Sequence, residues 1–249
     1  MRSLEPEGSA IVIGAGGGIG AALVSALLET PAFSSVWALS RAGGLGRDGK
    51  LRYGHIDVGD ELSIAAAAEH LSNEMASGAG PVRLVIVATG TLHGQGLQPE
   101  KSYRALDADA LMQSYRINAI GPALVAKHML PLLTRPGRNV FAALSARVGS
   151  IGDNRSGGWH SYRASKAALN MILLNLAIET RRRAPETLVV GLHPGTVDSG
   201  LSRPFQRGVA EDRLFTPAFS AERLLAVIDG LGVEDNGRVL DWSGQVVPP

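Results

Sequence analysis

The sequence predicts one α/β domain over residues 1–249, a doubly wound parallel sheet of about seven strands with helices on both faces. Three observations carry this expectation. Short apolar runs alternate with longer amphipathic ones, a glycine-rich turn follows the first apolar run, and no composition break, Pro/Ser linker or repeat divides the chain. At 249 residues the chain is long enough to bury one large core.

In order, the runs that read as strands are Ala10 to Ile13, Val36 to Leu39, Arg52 to Ile56, Leu84 to Ala88, Val140 to Leu144, Leu188 to Leu192 and Val239 to Leu240. Most are apolar throughout, as strands covered on both faces are. Between them, Ile19 to Glu29, Glu61 to Met75, Ala108 to Leu133, Ser161 to Arg183 and Ala221 to Gly230 read as helices. Strand, helix and strand in succession imply right-handed crossovers, which place ligand sites beyond the carboxyl ends of the strands. The residues just after each strand are therefore the candidate functional positions.

Composition excludes several function classes. Lys+Arg total 24 against 23 Asp+Glu, a formal charge of +1 that gives no broad footprint for nucleic acid or an anionic membrane. The chain has no cysteine, so disulfides, thiolate nucleophiles and cysteine zinc sites are excluded. Histidines at 55, 70, 93, 128, 160 and 193 fall in no metal-ligand spacing, and no metal is expected. The opening MRSLEPEGSA, with Arg2 followed by acids and Pro6, lacks the apolar stretch of an export signal, and Asn170 and Asn175 interrupt the apolar run Leu169 to Ile178. A soluble cytoplasmic protein without membrane or nucleic-acid partners is the expectation.

The first strand is followed by GAGGGIG, Gly14 to Gly20. The frame GxGxxG fails because its last position is Ile19, whereas GxxxGxG fits Gly14, Gly18 and Gly20, with Ile19 inside the first helical turn. Such glycines let backbone approach a pyrophosphate, and a helix N-terminus favours negative charge. The alternative is a turn that packs helix on strand. No Lys-Ser/Thr pair closes the run, so it is not a P-loop.

A dinucleotide site that selects an unphosphorylated ribose places Asp or Glu about 20 residues further on. Leu39-Ser40-Arg41 has no acid there. A guanidinium can hold a 2′-phosphate, so Ser40 and Arg41 favour NADP(H) over NAD(H), 10- to 100-fold if one such bond is worth about 1.5 to 3 kcal/mol. A solvated surface arginine is the alternative. Asp57, followed by Val58 at the end of the third strand, is placed either to accept from an adenine amino group or to cap a helix.

Tyr162 and Lys166 lie four apart at the start of a long helical stretch, on one face. A phenol near pKa 10 needs roughly 4 kcal/mol to titrate near 7, about what a cation some 4 Å away supplies at an effective dielectric near 20. The pair is thus sufficient for a tyrosine general acid. An ordinary amphipathic surface has the same spacing.

Together these residues resemble the short-chain dehydrogenase/reductase family. Its glycine pattern matches Gly14, Gly18 and Gly20, its tyrosine and lysine match Tyr162 and Lys166, its helix asparagine matches Asn118, and its Pro-Gly after the sixth strand matches Pro194-Gly195. LSARVGSI, DNRSGGW and YRASKAALN are most similar to the C-factor and sniffer-like carbonyl reductase branch. The resemblance implies a Rossmann-type domain, a homodimer or homotetramer, that moves hydride between a nicotinamide and a small-molecule carbonyl or alcohol. It implies that Tyr162 gives or takes the proton, Lys166 holds the nicotinamide ribose and lowers the tyrosine pKa, and Asn118 positions a water. It also implies cofactor contacts from Gly90 and from the stretch Thr196, Val197 and Ser199 after Pro194-Gly195.

Three positions depart from the family pattern. Ile13 replaces a threonine, Val87-Ala88-Thr89-Gly90 replaces Asn-Asn-Ala-Gly, and Ser145-Ala146 replaces Ser-Ser, with the usual catalytic hydroxyl falling on Ala146. Either Ser145 turns inward to polarise the carbonyl or that donor is absent, a loss worth about 10² to 10³ in rate. Ser150 and Ser161 are further hydroxyls nearby. Trp159, after Gly157-Gly158, is either an indole over the substrate or a core anchor, and Leu201 to Thr216 is either a lid or a surface loop. Arg181-Arg182-Arg183 reads as a solvated helix end. Two functions follow: an NADP(H)-dependent oxidoreductase with Tyr162 as general acid/base, or an NADP(H)-binding signalling or sensor protein of the C-factor kind with weak or no turnover.

Overall fold

The structure, a computed structural model, describes every residue except 2, 5, 6, 95, 134 and 135, and residue 211 through its backbone alone. Arg2 and Pro6, used in reading the N-terminus, lie outside the described residues. In chain order the elements are β1 (Gly8–Ile13), α1 (Gly18–Leu28), β2 (Phe33–Ser40), β3 (Gly46–Asp48), β4 (Leu51–His55), α2 (Glu61–Glu74), β5 (Val82–Val87), α3 (Ala108–Tyr115), α4 (Gly121–Met129), β6 (Asn139–Leu144), α5 (His160–Arg181), β7 (Thr187–His193), β8 (Thr196–Val197), β9 (Leu214–Phe215), α6 (Pro217–Gly230) and β10 (Val239–Asp241).

The central strands are apolar on both faces because each face supports its own core. Along β1, Ala10 and Val12 join Leu23 and Leu27 of α1 and Leu224 and Ile228 of α6. Ile11 and Ile13 join Ile64 and Leu71 of α2, Val125 of α4 and Leu169 of α5 on the other side. The alternation is the period of two of a strand. Each fully buried aliphatic side chain stabilises the fold by roughly 1.5 to 3 kcal/mol.

The main sheet has the order β10-β7-β6-β5-β1-β2-β4-β3, and all of its pairings are parallel except that of β3 with β4. The sequence-predicted strands are its parallel members. The eighth, β3, carries only Gly, Arg and Asp, all exposed, so no apolar signal announces it. Strands β8 and β9 pair outside this sheet. From β1 the chain moves to one side through β2 and β4 and then returns to the other at β5, so the strand order switches beside β1 and opens a crevice at the carboxyl ends.

The stretch Ala108 to Leu133, expected as one helix, is divided. A π turn at Arg116–Ile120 separates α3 from α4, and a 3₁₀ turn at Leu130–Leu133 ends the stretch. Pro122 opens α4 and cannot donate a backbone hydrogen bond. Gly121 is needed here because a Cβ would stand 2.8 Å from the Val58 carbonyl oxygen. The wide turn is what carries Asn118 inward. Among the described residues no helix is long and apolar enough to cross a membrane.

Candidate active site

A cleft of about 850 Å³ lies beyond the carboxyl ends of β1, β2, β4 and β5. Its floor is Gly14, Gly16 and Gly17. Gly14 has φ +90, and a Cβ there would sit 2.8 Å from the Ala88 carbonyl oxygen; one on Gly20 would collide with the Gly14 carbonyl. Gly18, Ile19 and Gly20 form the first turn of α1 behind this floor. Gly17, the N-cap, offers no side chain to bond them, so their amides are open to an outside acceptor.

Ser40 and Arg41 line the cleft beyond the end of β2. Arg41 is exposed, and its guanidinium has no hydrogen bond or ion pair among the described residues; its carbonyl oxygen lies 3.0 Å from His55 Nδ1. Asp57 and Val58 line the opposite wall. The helix-cap alternative for Asp57 falls away, because Asp60 caps α2 through the Leu62 amide while Asp57 Oδ1 accepts from Gly59 N at 2.9 Å. Arg116 braces this wall with bonds from Nε and Nη2 to the Gly59 carbonyl. Thr89 Oγ1 is buried in the wall without a hydrogen-bond partner among the described residues. Bare backbone, an unopposed cation and an orphaned hydroxyl together fit a phosphate-bearing, hydroxyl-rich ligand such as a dinucleotide.

At the other end the side chains converge on Gly90. A Cβ there would lie 3.5 Å from Asn118 Oδ1 and 3.8 Å from both Lys166 Nζ and Leu201 Cδ1. Asn118 is fully buried in the π turn: Oδ1 accepts from Thr91 N (2.8 Å), and Nδ2 donates to the Thr91 carbonyl (2.9 Å) and to Ser165 Oγ (3.1 Å). Both amide hydrogens are therefore engaged, and the second lone pair of Oδ1 is what remains of this side chain for a water. Lys166 Nζ donates to the Leu144 carbonyl at 2.7 Å and stands 5.9 Å from the Tyr162 ring centre. The Tyr162 hydroxyl has no hydrogen-bond partner among the described residues.

This electrostatic arrangement differs from the sequence expectation. Burial pushes the Tyr162 phenol up to about 12 and the Lys166 ammonium down to about 8, because each charged form loses water. The ammonium also bonds the end of β6 through the Leu144 carbonyl.

Ser145 requires a correction. Its hydroxyl donates to Asn170 Oδ1 at 2.6 Å, while the methyl of Ala146 packs with Tyr162 and Leu92. The strand's alternation turns Ser145 into the protein and Ala146 toward the tyrosine. Ser150 is engaged with Asp153 N and the Pro249 carbonyl, and Ser161 with the Glu100 carboxylate. No hydroxyl named from the sequence replaces the missing one.

Trp159 stands edge-on to Tyr162 (6.3 Å between ring centres) and to Phe205 (5.1 Å), and Phe205 in turn meets His93 (5.6 Å). The segment 201–216 thereby reaches across to the tyrosine end. Pro194, Gly195 and Val197 are, like Tyr162 and Lys166, not among the residues that line this cleft. The Pro194 carbonyl accepts from Ser220 Oγ, Gly195 sits against Phe215 and Trp242, and Val197 is buried in the β8–β9 pair. Gly200 and Leu201 line the cleft instead. Sequence reasoning gave no role to Thr89, Thr91, His93, Arg116 or Glu100. Arg116 and Thr91 flank residues it did select, which was the available signal.

Comparison with known proteins agrees with this geometry. The short chain dehydrogenase family model matches residues 9–209. The 1-hydroxy-2-glutathionyl-2-methyl-3-butene dehydrogenase of Rhodococcus sp. (strain AD45) is 33% identical over 189 residues, 76% of each chain. C-signal of Myxococcus xanthus is 38% identical over 144 residues, 57% of this chain and 81% of that protein. Among solved structures, the NADPH-bound carbonyl reductase from chicken fatty liver superposes with a TM-score of 0.83 at 26% identity, covering 100% of this chain and 97% of that one. Parallel sheet, glycine turn and matching sequence lead to one assignment: the chain belongs to the short chain dehydrogenase family of oxidoreductases.

Proposed function

We propose that this oxidoreductase uses NADP(H), with NAD(H) as the weaker coenzyme, to interconvert a carbonyl and its alcohol, Tyr162 acting as general acid/base. The observation that carries the reading is the convergence of Lys166 and Asn118 on Gly90, beside Tyr162 and at the end of the glycine-floored cleft. Gly14, Gly18, Ile19 and Gly20 would hold the pyrophosphate, Ser40 and Arg41 the 2′-phosphate, and Asp57 and Val58 the adenine. Gly90, Tyr162 and Lys166, with Pro194, Gly195 and Val197, would hold the nicotinamide nucleoside. When bound, the nicotinamide supplies or accepts the hydride.

The remaining chemistry belongs to the protein. A phenol pushed up to about 12 stays protonated at neutral pH, so Tyr162 Oη is ready to give its proton to the substrate oxygen in the reductive direction. Lys166 keeps most of its charge below about pH 8 and stabilises the phenolate left behind. Leu92, Ala146, Trp159 and Phe205 form an apolar wall around Tyr162 that suits apolar or aromatic carbonyls. Met171, Leu174 and Ile178 make an exposed apolar row on α5, 59%, 41% and 51% accessible, which supports a homodimer or homotetramer.

Ala146 favours a second reading. With no hydroxyl beside Tyr162, coenzyme occupancy rather than turnover could be the output, as in a signalling or sensor protein of the C-factor kind. Parallel titration with NADPH and NADH, following nicotinamide fluorescence, and then a panel of aldehydes, ketones and quinones decides between them. The oxidoreductase reading expects NADPH to bind 10- to 100-fold more tightly than NADH, a preference that Arg41→Ala removes. It also expects a carbonyl-dependent loss of NADPH that disappears in Tyr162→Phe. Tight binding without consumption, and a silent Tyr162→Phe, would establish the second reading; no response to either coenzyme would end both.

A further inference from the structure

Glu100 lies in the segment between β5 and α3, outside any regular element, yet it is only 4% exposed. Its carboxylate faces the first turn of α5. Oε2 accepts from the Ser161 amide at 3.1 Å, Oε1 accepts from the Ser161 hydroxyl, and the Glu100 carbonyl oxygen accepts from Trp159 N at 2.5 Å. These bonds tie together residues about 60 apart in sequence.

Helix α5 has no side-chain cap of its own. Its N-cap position is Trp159, at φ +50, preceded by Gly157 and Gly158 at φ +59 and +65. A residue with a side chain rarely holds the left-handed conformation unless its surroundings impose it. Here the Trp159 amide bonds the Glu100 main-chain carbonyl, and the Glu100 carboxylate satisfies the Ser161 donors in the first turn, at the positive end of the helix. Further along, Leu169, Leu173 and Ala177 anchor α5 in the core. Removing the carboxylate therefore loosens the first turn and leaves the rest of the helix in place. That turn carries Tyr162, and the indole of Trp159 stands against it.

We propose that Glu100 is a positioning residue of the active site: by capping the first turn of α5 with its carboxylate, beside the Trp159 amide that its own main-chain carbonyl holds, it sets the pose of the indole and of the Tyr162 hydroxyl at the cleft. The proposal rests on the role given above to Tyr162. A displacement of about 1 Å at a reacting group can cost about 100-fold in rate, whereas the Gly14 end of the cleft shares no bond with this cap.

The test compares wild type, Glu100→Ala, Glu100→Gln, Ser161→Ala and Tyr162→Phe. It measures kcat per folded molecule on the fastest panel carbonyl, the NADPH Kd, and acrylamide quenching of Trp159 emission, assigned by difference from a Trp159→Phe background. Glu100→Ala is expected to lower kcat about 10- to 100-fold, keep the NADPH Kd within about twofold and increase Trp159 quenching. Glu100→Gln keeps an acceptor oxygen and recovers much of kcat. Wild-type kcat and quenching in Glu100→Ala, whatever its stability, would show a purely structural residue and overturn the proposal. If Tyr162→Phe turns over normally, or no carbonyl is consumed, the reading of Tyr162 has failed, and quenching alone still decides the clamp. If Glu100→Ala does not fold, Glu100→Gln and Ser161→Ala carry the same comparison.

Discussion

At the Gly14 end of the cleft the chain offers backbone, helix-end amides and an arginine without an ion pair among the described residues; at the Gly90 end it offers buried and half-buried side chains drawn from the π turn, α5 and the segment after β8. The first end is made within one turn of chain, because Gly14 and Gly17 shape it by local conformation and a mutual hydrogen bond. The second depends on bonds such as Thr91 to Asn118, Asn118 to Ser165 and Ser161 to Glu100, which span 27, 47 and 61 positions. A ligand held by backbone and charge needs only an open cradle, whereas a phenol that moves protons needs a dry and exact neighbourhood. The two ends should therefore fail differently when altered.

The largest effect expected is that of Tyr162→Phe, which lowers kcat by about 10² to 10⁴ and weakens NADPH binding far less; a loss of coenzyme binding as large as the loss of kcat would erase the distinction between the ends. Next is a pH effect on stability at the end of β7. Burial pushes His193 down to about 4, a tendency that Asp241 opposes and Arg147 adds to. Between about pH 4 and 6.5 the unfolded chain binds a proton that the folded one refuses. Stability thus falls as pH drops through that window, by up to about 3 kcal/mol. Urea unfolding at pH 7 and 4.5 should show the fall, and His193→Gln should flatten it.

Gly14→Ala sharpens the contrast from the other side. Strain at φ +90 and the contact with Ala88 should cost about 1 to 3 kcal/mol, read as weaker NADPH binding with kcat at saturation nearly kept. The smallest effect is a gain: Ala146→Ser places a hydroxyl beside Tyr162 and should raise kcat up to about tenfold. No gain there would mean that the tyrosine end already completes its polar contacts by another route.

Much of this was legible beforehand. The parallel strands were readable because burial on both faces makes them continuously apolar, and the glycine turn because only glycine tolerates the contacts at Gly14 and Gly20. Strand β3 was not, since Gly-Arg-Asp at an exposed edge carries no burial pattern. The π turn at Asn118 was hidden within an otherwise helical periodicity. Whether Ser145 or no hydroxyl serves the tyrosine stayed open, because successive residues of the extended backbone just after β6 point to opposite sides and one position decides which of them meets Tyr162. Glu100 lies in a loop whose sequence says nothing of the helix it caps.

By itself the sequence determined the layered fold, the phosphate-sized turn and the spacing of Tyr162 and Lys166, because helix and strand periods are fixed locally. Tertiary structure alone decided that Ser145 turns away, that Lys166 bonds the end of β6, and that burial sets both of the pair's pKa values. Those outcomes depend on which distant residues exclude water and supply partners, and water exclusion is a property of the assembled molecule.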